Sequence, residues 1–224
     1  IDAIRIQAAA TINVVDSTLN SNGRSAVIAD GSADGFTLNM TNCDVSDNTQ
    51  IGIQPYRQAS IVLDTVDFDN NGIDGLRIGG GSAANSSVTA IDSTFTNNGQ
   101  GGFRALRYGS YDFTTCDFSQ NGQAGVKVDQ VSDATDLILN SCTIESNGQQ
   151  GIQLLNNTGI VTLGLSNNST VNSNGTSGSN SGIQIGSLAD VSITDTTINN
   201  NTLHGFQVDN AADGTTFDLT DVTI

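Results

Sequence analysis

One complete repeat of this chain, Tyr111–Val128, reads YDFTTCDFSQNGQAGVKV. Apolar and polar residues alternate over short stretches on both sides of an Asn-Gly pair. Alternation over three to five residues predicts a short β-strand whose apolar members face a core. The repeat therefore predicts three short strands joined by bends. No stretch of the chain carries a helical apolar period of useful length.

An asparagine recurs along the whole sequence at intervals of 23 to 27 residues. An apolar residue lies three positions before each one, and a glycine usually lies four positions after it. The asparagines are Asn22, Asn48, Asn71, Asn98, Asn121, Asn147, Asn174 and Asn201. A period of this length is typical of a solenoid. We therefore expect one domain over residues 1–224, with about eight full three-strand coils stacked about 4.8 Å apart through parallel strands.

The recurring asparagine has a physical reason to lie at a sharp bend. Asn tolerates the left-handed backbone conformation better than other non-glycine residues. Its side-chain amide can also bond to the amides of the coils above and below, which predicts a ladder. The glycine that often follows, such as Gly72 after Asn71, is expected to relieve crowding in the same turn.

The Asn column and the strand pattern after it resemble the short repeats of the right-handed parallel β-helix family, the pectate-lyase-like superfamily. Asn71-Gly72 followed by Gly75-Leu76-Arg77-Ile78 shows the match, and the resemblance covers essentially all of the chain. It implies an all-β, right-handed parallel β-helix. That superfamily includes polysaccharide lyases and hydrolases, epimerases, phage tailspikes and large bacterial surface proteins, so the resemblance leaves the activity open.

The sequence begins and ends inside a repeat. Ile4-Arg5-Ile6 matches the strand that follows the asparagine, and Phe217 and Leu219 match the first half of a ninth coil. A solenoid needs polar caps at its ends, and neither end shows one. We therefore expect uncapped ends, which belong either to a segment of a longer chain or to a protomer that stacks end to end.

The chain is strongly acidic, with 7 basic and 23 acidic residues and a net charge of −16. Such a charge disfavours nucleic acid as a partner. The sequence has no apolar run of transmembrane length, so membrane insertion is not expected. An Asp-rich surface suits an extracellular or cell-surface location. Cys43, Cys116 and Cys142 show no zinc spacing or disulfide framework, and they are expected to be small buried residues.

Five of the seven cations lie between residues 57 and 127. Arg77, Arg104 and Lys127 occupy the outward position of the strand after the asparagine, on consecutive rungs. Two interpretations remain open. In the first, these cations form a contact surface for an acidic polysaccharide or for an acidic face of another subunit. In the second, their long side chains cover apolar rungs and extend into solvent. Tyr56 and Tyr111 lie near the full candidate set, which is Arg57, Arg77, Arg104, Arg107, Tyr108 and Lys127.

The enzyme signatures of the superfamily are not found in the sequence. The resemblance implies either an aspartate cluster that binds Ca²⁺ beside a basic residue, or three close carboxylates with a His-Gly pair. His204-Gly205 matches the dipeptide, but Gly205 is the repeat glycine. The outward positions of the first strand contain no acidic cluster; we align them as Asn13, Asn39, Val62, Thr89, Asp112, Ile138, Thr162, Ser192 and Asp218.

Calcium is an alternative ligand, since oxygen-rich loops bind it. Asp64, Asp67 and Asp69 form one candidate group, and Asp129, Asp133 and Asp136 form another. No cofactor is otherwise expected. The sequence favours a structural or adhesive extracellular solenoid that associates end to end or laterally, as a rod, filament or surface matrix. The alternative is a carbohydrate-binding or carbohydrate-active β-helix that uses the Arg and Lys column.

Overall fold

The structure, a computed structural model, describes residues 1–31, 33–79, 85–209 and 212–224. Within these residues, 21 parallel strands wind into a right-handed solenoid of about eight turns. The predicted all-β, right-handed parallel β-helix is therefore confirmed. Each coil runs through one strand of a nine-stranded sheet and then through one or two strands of a twelve-stranded sheet.

The nine-stranded sheet contains the strand that follows each ladder asparagine. Its strands are all parallel and short, because a bend lies on either side of each one. In spatial order they are β1 (Ile4–Ile6), β3 (Val27–Ala29), β5 (Ile53–Pro55), β7 (Leu76–Ile78), β10 (Phe103–Ala105), β12 (Val126–Asp129), β15 (Ile152–Leu155), β18 (Ile183–Gly186) and β20 (Phe206–Val208).

The twelve-stranded sheet covers the other two sides of the coil. Some of its strands continue through the polar turn between these sides, as β6 does at Thr65, whereas in other coils the turn separates two strands. The strands are β2 (Thr11–Val15), β4 (Phe36–Asp44), β6 (Ala59–Asp69), β8 (Ser86–Ile91), β9 (Thr94–Thr96), β11 (Gly109–Thr114), β13 (Thr135–Asn140), β14 (Thr143–Glu145), β16 (Val161–Ser166), β17 (Thr170–Asn172), β19 (Ala189–Thr197) and β21 (Thr216–Thr223).

The core is a set of stacked columns inside the coil. Phe68, Phe95 and Phe118 stack with ring centroids 4.8 and 4.9 Å apart and interplanar angles of 5° and 7°. Phe113 meets Phe118 edge-on at 5.0 Å. Stacked and edge-on aromatic pairs stabilise a core beyond the area they bury. The apolar position three residues before each asparagine is buried in every coil, as the sequence predicts.

The three cysteines lie in the same kind of buried column, as predicted, and all are free thiols. The Cys116 thiol donates to the carbonyl oxygen of Ala90 at 3.5 Å, and the Cys142 thiol donates to that of Phe113 at 3.4 Å. The hydrogen bond with Cys142, followed by burial, raises the pKa of Cys116. These thiols pack as small core residues.

The asparagine ladder is continuous from Asn22 to Asn201. Each side-chain oxygen from Asn48 onward accepts two bonds from the preceding ladder residue, one from its backbone N–H and one from its Nδ2. The Nδ2 of Asn121, for example, donates to Asn147 Oδ1 at 3.1 Å and to the Phe95 carbonyl at 2.9 Å. The buried amides therefore satisfy one another.

The backbone explanation for the asparagine was wrong. The ladder asparagines do not have positive φ; the left-handed residue is the one before each of them, as at Asn70 (φ 52°) and Gln120 (φ 61°). A second left-handed position lies in the polar turn, as at Thr65 (φ 56°) and Asp195 (φ 47°). Asparagine is needed at the ladder for its amide, and the bend itself is made one residue earlier.

The glycine after the asparagine acts as predicted. A Cβ on Gly99 or Gly122 would collide with a carbonyl oxygen in the coil below, Gly72 O and Gly99 O respectively. The glycines of consecutive coils therefore approach one another more closely in this turn than a Cβ would allow.

Candidate functional site

The candidate site lies on the outer surface of the nine-stranded sheet, along its central column. Strand pairing places Arg104 beside Arg77 on one side and beside Lys127 on the other. The three cations therefore occupy consecutive rungs, as predicted. The whole column, in order along the axis, is Arg5, Ile28, Gln54, Arg77, Arg104, Lys127, Gln153, Gln184 and Gln207. Ile28 is an apolar residue in this otherwise polar column, and the sequence pattern did not place it there.

We call Arg77, Arg104, Lys127 and their carboxylate partners the cationic half of this face. Arg104 Nη2 lies 3.0 Å from Asp129 Oδ2, and Lys127 Nζ lies 3.6 Å from the same oxygen. The Asp129 side chain is only 4% exposed, and its second oxygen accepts from Asn156 Nδ2 at 3.1 Å. One buried carboxylate therefore holds two neighbouring cations in place.

Arg77 has a separate partner, which precedes its strand in the chain. Its Nε contacts Asp74 Oδ2, and the other oxygen of Asp74 accepts from the backbone N–H of Gly101 at 2.9 Å. The Asp74 side chain is 1% exposed. The next coil therefore holds Asp74 in place through one carboxylate oxygen. The other oxygen contacts the guanidinium and fixes the position of Arg77.

The three cations lie against the surface. Their side chains are 17 to 23% exposed, so the interpretation in which they extend into solvent is wrong, although they do cover the strand beneath. Three positive and two negative groups leave one positive charge here. Burial lowers the pKa of Lys127, which Asp129 opposes. Within the described residues, the buried Arg104 Nε has no hydrogen-bond partner.

The next three rungs of the column, which we call the amide half, carry Gln153, Gln184 and Gln207. Gln184 Nε2 donates to Asp209 Oδ2 at 2.8 Å, and Gln207 Nε2 donates to Asp209 Oδ1 at 2.7 Å. Gln153 Nε2 donates to Gln184 Oε1 at 2.9 Å. The side chains on these three rungs therefore still donate and accept hydrogen bonds, but none of them is a cation.

The remaining candidate residues lie beyond the ends of these strands. Arg57 follows β5 and donates from Nε to the Gly31 carbonyl at 2.9 Å, and Arg107 follows β10 and donates to the Leu106 carbonyl at 3.3 Å. Tyr108 packs partly buried against the core. Tyr111 is fully buried, as its place in the apolar strand pattern predicts, and its hydroxyl donates to the Arg107 carbonyl at 2.6 Å. Arg57, Arg107 and Tyr108 therefore lie after the strands of the nine-stranded sheet, not in its central column.

Asp74 and Asp129 were missed as members of the site. Asp74 lies three residues before Arg77 in the sequence, and Asp129 lies two residues after Lys127. The signal that could have found Asp129 is its column, since Asp30 and Asp209 occupy the same position after their strands. Asp30 likewise lies 3.3 Å from Arg5 Nη2.

One position in the first-strand column was aligned wrongly. Strand pairing places Gly164, not Thr162, between Ile138 and Ser192. Val161, Leu163 and Leu165 all point inward, so two registers two residues apart fit the apolar pattern equally well, and pairing with neighbouring strands selects one of them.

The carboxylates of the two proposed aspartate groups do not converge in the described residues. Asp67 contacts Thr94 Oγ1, and Asp69 Oδ1 accepts from Thr96 Oγ1 at 3.0 Å. Across the described ranges, no three His, Cys, Asp or Glu side chains converge to hold a metal ion. His204 is an exposed turn residue whose carbonyl accepts from Gly182 N–H at 2.8 Å. No helix long and apolar enough to span a bilayer occurs in the part of the chain that the structure describes.

Comparison with known proteins places these features in a family context. The family model described as a right handed beta helix region matches residues 25–175. No curated protein sequence matches this chain. Among solved structures, the A-module of mannuronan C-5 epimerase AlgE4 from Azotobacter vinelandii superimposes with a TM-score of 0.59 at 15% identity, over 99% of this chain and 76% of that one.

The A-module of mannuronan C-5 epimerase AlgE6 from the same organism gives a TM-score of 0.51 at 14% identity, over 99% of this chain and 81% of that one. The tailspike protein gp49 of Acinetobacter baumannii bacteriophage Fri1, a capsular polysaccharide depolymerase, gives 0.42 at 10% identity, over 92% of this chain and 47% of that one. At these identities the two epimerase modules show a shared fold and no more.

Proposed function

This chain belongs to the right-handed β-helix family, and we propose that it binds an acidic polysaccharide outside the cell along the cationic half of its nine-stranded face. Arg77, Arg104 and Lys127 contact the acidic groups of the polymer. Arg57, Arg107 and Tyr108, beyond the ends of β5 and β10, extend the contact at the edge of the face.

The observation that carries the proposal is the register of three cations on consecutive rungs of a protein with a net charge of −16. The rungs repeat about every 4.8 Å along the axis. Like charges at this spacing repel each other, by about 1 kcal/mol in water. A polymer that carries a carboxylate on each sugar presents a matching row of negative charges, so it relieves this repulsion when it lies along the axis.

The geometry of the ion pairs leaves capacity for a ligand. In the described part of the chain, Arg77 uses Nε for its carboxylate and Arg104 uses Nη2. Each guanidinium group has five N–H donors, and a second carboxylate can bind to the donors that remain. Because Asp74 and Asp129 already fix the side chains, little side-chain freedom is lost when a ligand binds.

The solved structures of similar fold guide the choice of probe. Two of them are named as mannuronan C-5 epimerases, and mannuronan is a polyuronate. The likeness itself extends only to the fold, so the support for binding comes from the cation column of this chain.

The test measures binding to polygalacturonate and alginate by calorimetry at low and high salt. The double variant Arg77→Gln plus Arg104→Gln is expected to lose at least about tenfold in affinity, and binding by the wild type is expected to weaken with salt. Arg24→Gln is the control, since it removes one exposed cation whose partner is Asp2. Equal binding by the double variant and the control would overturn the proposal.

A second candidate function is assembly into a structural or adhesive rod. The observation that favours it is the unbroken parallel stacking of the described strands along one axis, which is the geometry of a rod. Exposed strand edges pair readily with other strands. Electron microscopy at rising protein concentration tests it: rods that lengthen with concentration support assembly, and rods that stay about 40 Å long at every concentration contradict it.

A further inference from the structure

The nine-stranded face changes chemistry after β12, the sixth of its nine strands. The cationic half ends at Lys127, and the amide half begins on the next rung with Gln153. Both halves are built in the same way: Asp129 holds two cations of the column, and Asp209, at the equivalent position of its coil, holds two glutamines of the column. The amide half is therefore a second set of fixed polar side chains on the same surface.

Neighbouring residues complete the amide half. Gln150 Nε2 donates to Asn180 Oδ1 at 3.2 Å and to Gln184 Oε1 at 2.8 Å. Ser181 Oγ donates to Gln207 Oε1 at 2.7 Å. Gln150 and Gln153 are only 8% and 7% exposed. The glutamine side chains are thus held by one another and by Asp209, so a ligand meets them already oriented.

The hydrogen bonds left over decide which ligand fits. Within the described residues, Gln153 Oε1 accepts no hydrogen bond, and the Nε2 groups of Gln184 and Gln207 each use one of their two hydrogens. A sugar hydroxyl both donates and accepts, so it fits such a mixed set. A carboxylate only accepts, and the negative charge of Asp209 disfavours it here.

We propose that the amide half binds neutral sugars of the same polysaccharide whose acidic sugars lie over the cationic half. This inference rests on the proposed function and specifies its substrate class, a heteropolysaccharide in which charged and neutral sugars occur along one chain. The polymer runs along the solenoid axis, across the strands, so that it contacts Arg104 and Gln184 at the same time.

The test compares two polymers and two sets of variants by calorimetry on the full chain. Polygalacturonate has a carboxylate on every sugar, whereas neutral sugars separate the glucuronates of gellan. Gln184→Met plus Gln207→Met keeps side-chain length but removes the amides. We expect this variant to bind gellan about tenfold more weakly and polygalacturonate within about twofold of the wild type. Arg104→Gln is expected to weaken binding to both.

The outcomes separate this inference from the proposed function. If the wild type binds neither polymer, the proposed function fails. If polygalacturonate binds through Arg104 but the amide variants leave gellan binding unchanged, or weaken both polymers alike, only this inference fails. Thermal unfolding checks each fold, and Thr89→Ala, an exposed change on β8 of the other sheet, is the control. If the double variant does not fold, Gln207→Met alone is measured, with a smaller loss of gellan binding expected.

Discussion

The asparagine ladder and the central column of the nine-stranded face both contribute one residue per coil, yet they differ in what they tolerate. The ladder repeats the same residue in eight coils, because each amide is both donor and acceptor for its neighbours in a buried row. The central column carries Arg, Lys, Gln and Ile. A side chain that bonds to copies of itself is fixed by stacking, whereas one that bonds to adjacent carboxylates or to ligands can vary from rung to rung.

The largest expected effect comes from breaking the ladder. Asn121→Ala leaves the Asn98 backbone N–H and the Phe95 carbonyl without this partner. It also removes one of the two acceptors of Asn98 Nδ2 and one of the two donors to Asn147 Oδ1. Each buried polar group that loses its partner costs about 1–3 kcal/mol, so we expect the free energy of unfolding to fall by about 4 kcal/mol. Chemical denaturation followed by circular dichroism measures this.

Asn22→Ala is the matched control within the ladder. Asn22 is half-buried and donates to Asn48 Oδ1 at 2.8 Å, but its own oxygen accepts no ladder bond in the described residues. A loss of only about 1 kcal/mol is expected. Equal losses for Asn22→Ala and Asn121→Ala would show that hydrogen-bond satisfaction is not what fixes the ladder.

The second prediction compares the carboxylates beside the central column. Asp129→Asn removes the charge that holds Arg104 and Lys127, and we expect it to destabilise the fold by about 1–2 kcal/mol, since the cations remain partly exposed. Among the described residues, the Asp209 carboxylate accepts from the amides of Gln184 and Gln207 rather than from cations, so the effect of Asp209→Asn should be smaller. Thermal unfolding of both variants decides the point, and a larger effect at Asp209 would contradict it.

The third prediction exchanges chemistry within the column. Gln184→Arg places a cation near Asp209, as Arg104 lies near Asp129. Arginine has no acceptor for the Nε2 groups of Gln150 and Gln153, which each keep one other bond. We therefore expect stability to fall by about 1 kcal/mol and affinity for polygalacturonate to rise about threefold. Asn147→Arg, the same kind of exchange in the ladder, should prevent folding. A folded Asn147→Arg protein would remove the distinction between the two columns.

The smallest expected effect is on pH dependence. Because burial lowers the pKa of Lys127 from its usual 10.5, this lysine loses its charge at a lower pH than an exposed lysine does. Affinity for polygalacturonate should therefore fall by about twofold as the pH rises towards 10.5. Lys127→Arg stays charged and should keep its affinity over the same range. A parallel fall in both proteins would show that Lys127 is not the group responsible.

The sequence predicted the fold and the register of the cation column because both depend on local patterns. After each asparagine, a glycine is followed by a strand with the pattern apolar, any residue, apolar. This pattern aligns the strands of successive coils, so the residues that neighbour Arg104 on adjacent strands can be read from the sequence. The alignment failed at Thr162 because Val161, Leu163 and Leu165 offered two equivalent registers. Those registers differ only in their pairing with neighbouring strands.

The electrostatics of the candidate site could not be predicted in the same way. Arg77 binds a carboxylate that precedes its strand, whereas Arg104 and Lys127 bind the last residue of β12, Asp129. Which acid a long side chain reaches depends on how it lies over the turns, and outward alternation says nothing about that direction. The buried state of Asp74 likewise depends on a backbone bond from the next coil.

Coil seven has extra residues between Asn174 and Gly182, yet β15 and β18 pair in unbroken register across it, and Asn174 still bonds to Asn201. The additional segment begins at Gly175 (φ 91°) and bonds back to the coil below through Thr176 and Ser177. This turn is therefore a suitable site for inserting a peptide. A foreign peptide grafted between Gly175 and Asn180 would be displayed beside the amide half while the rod on either side keeps its shape.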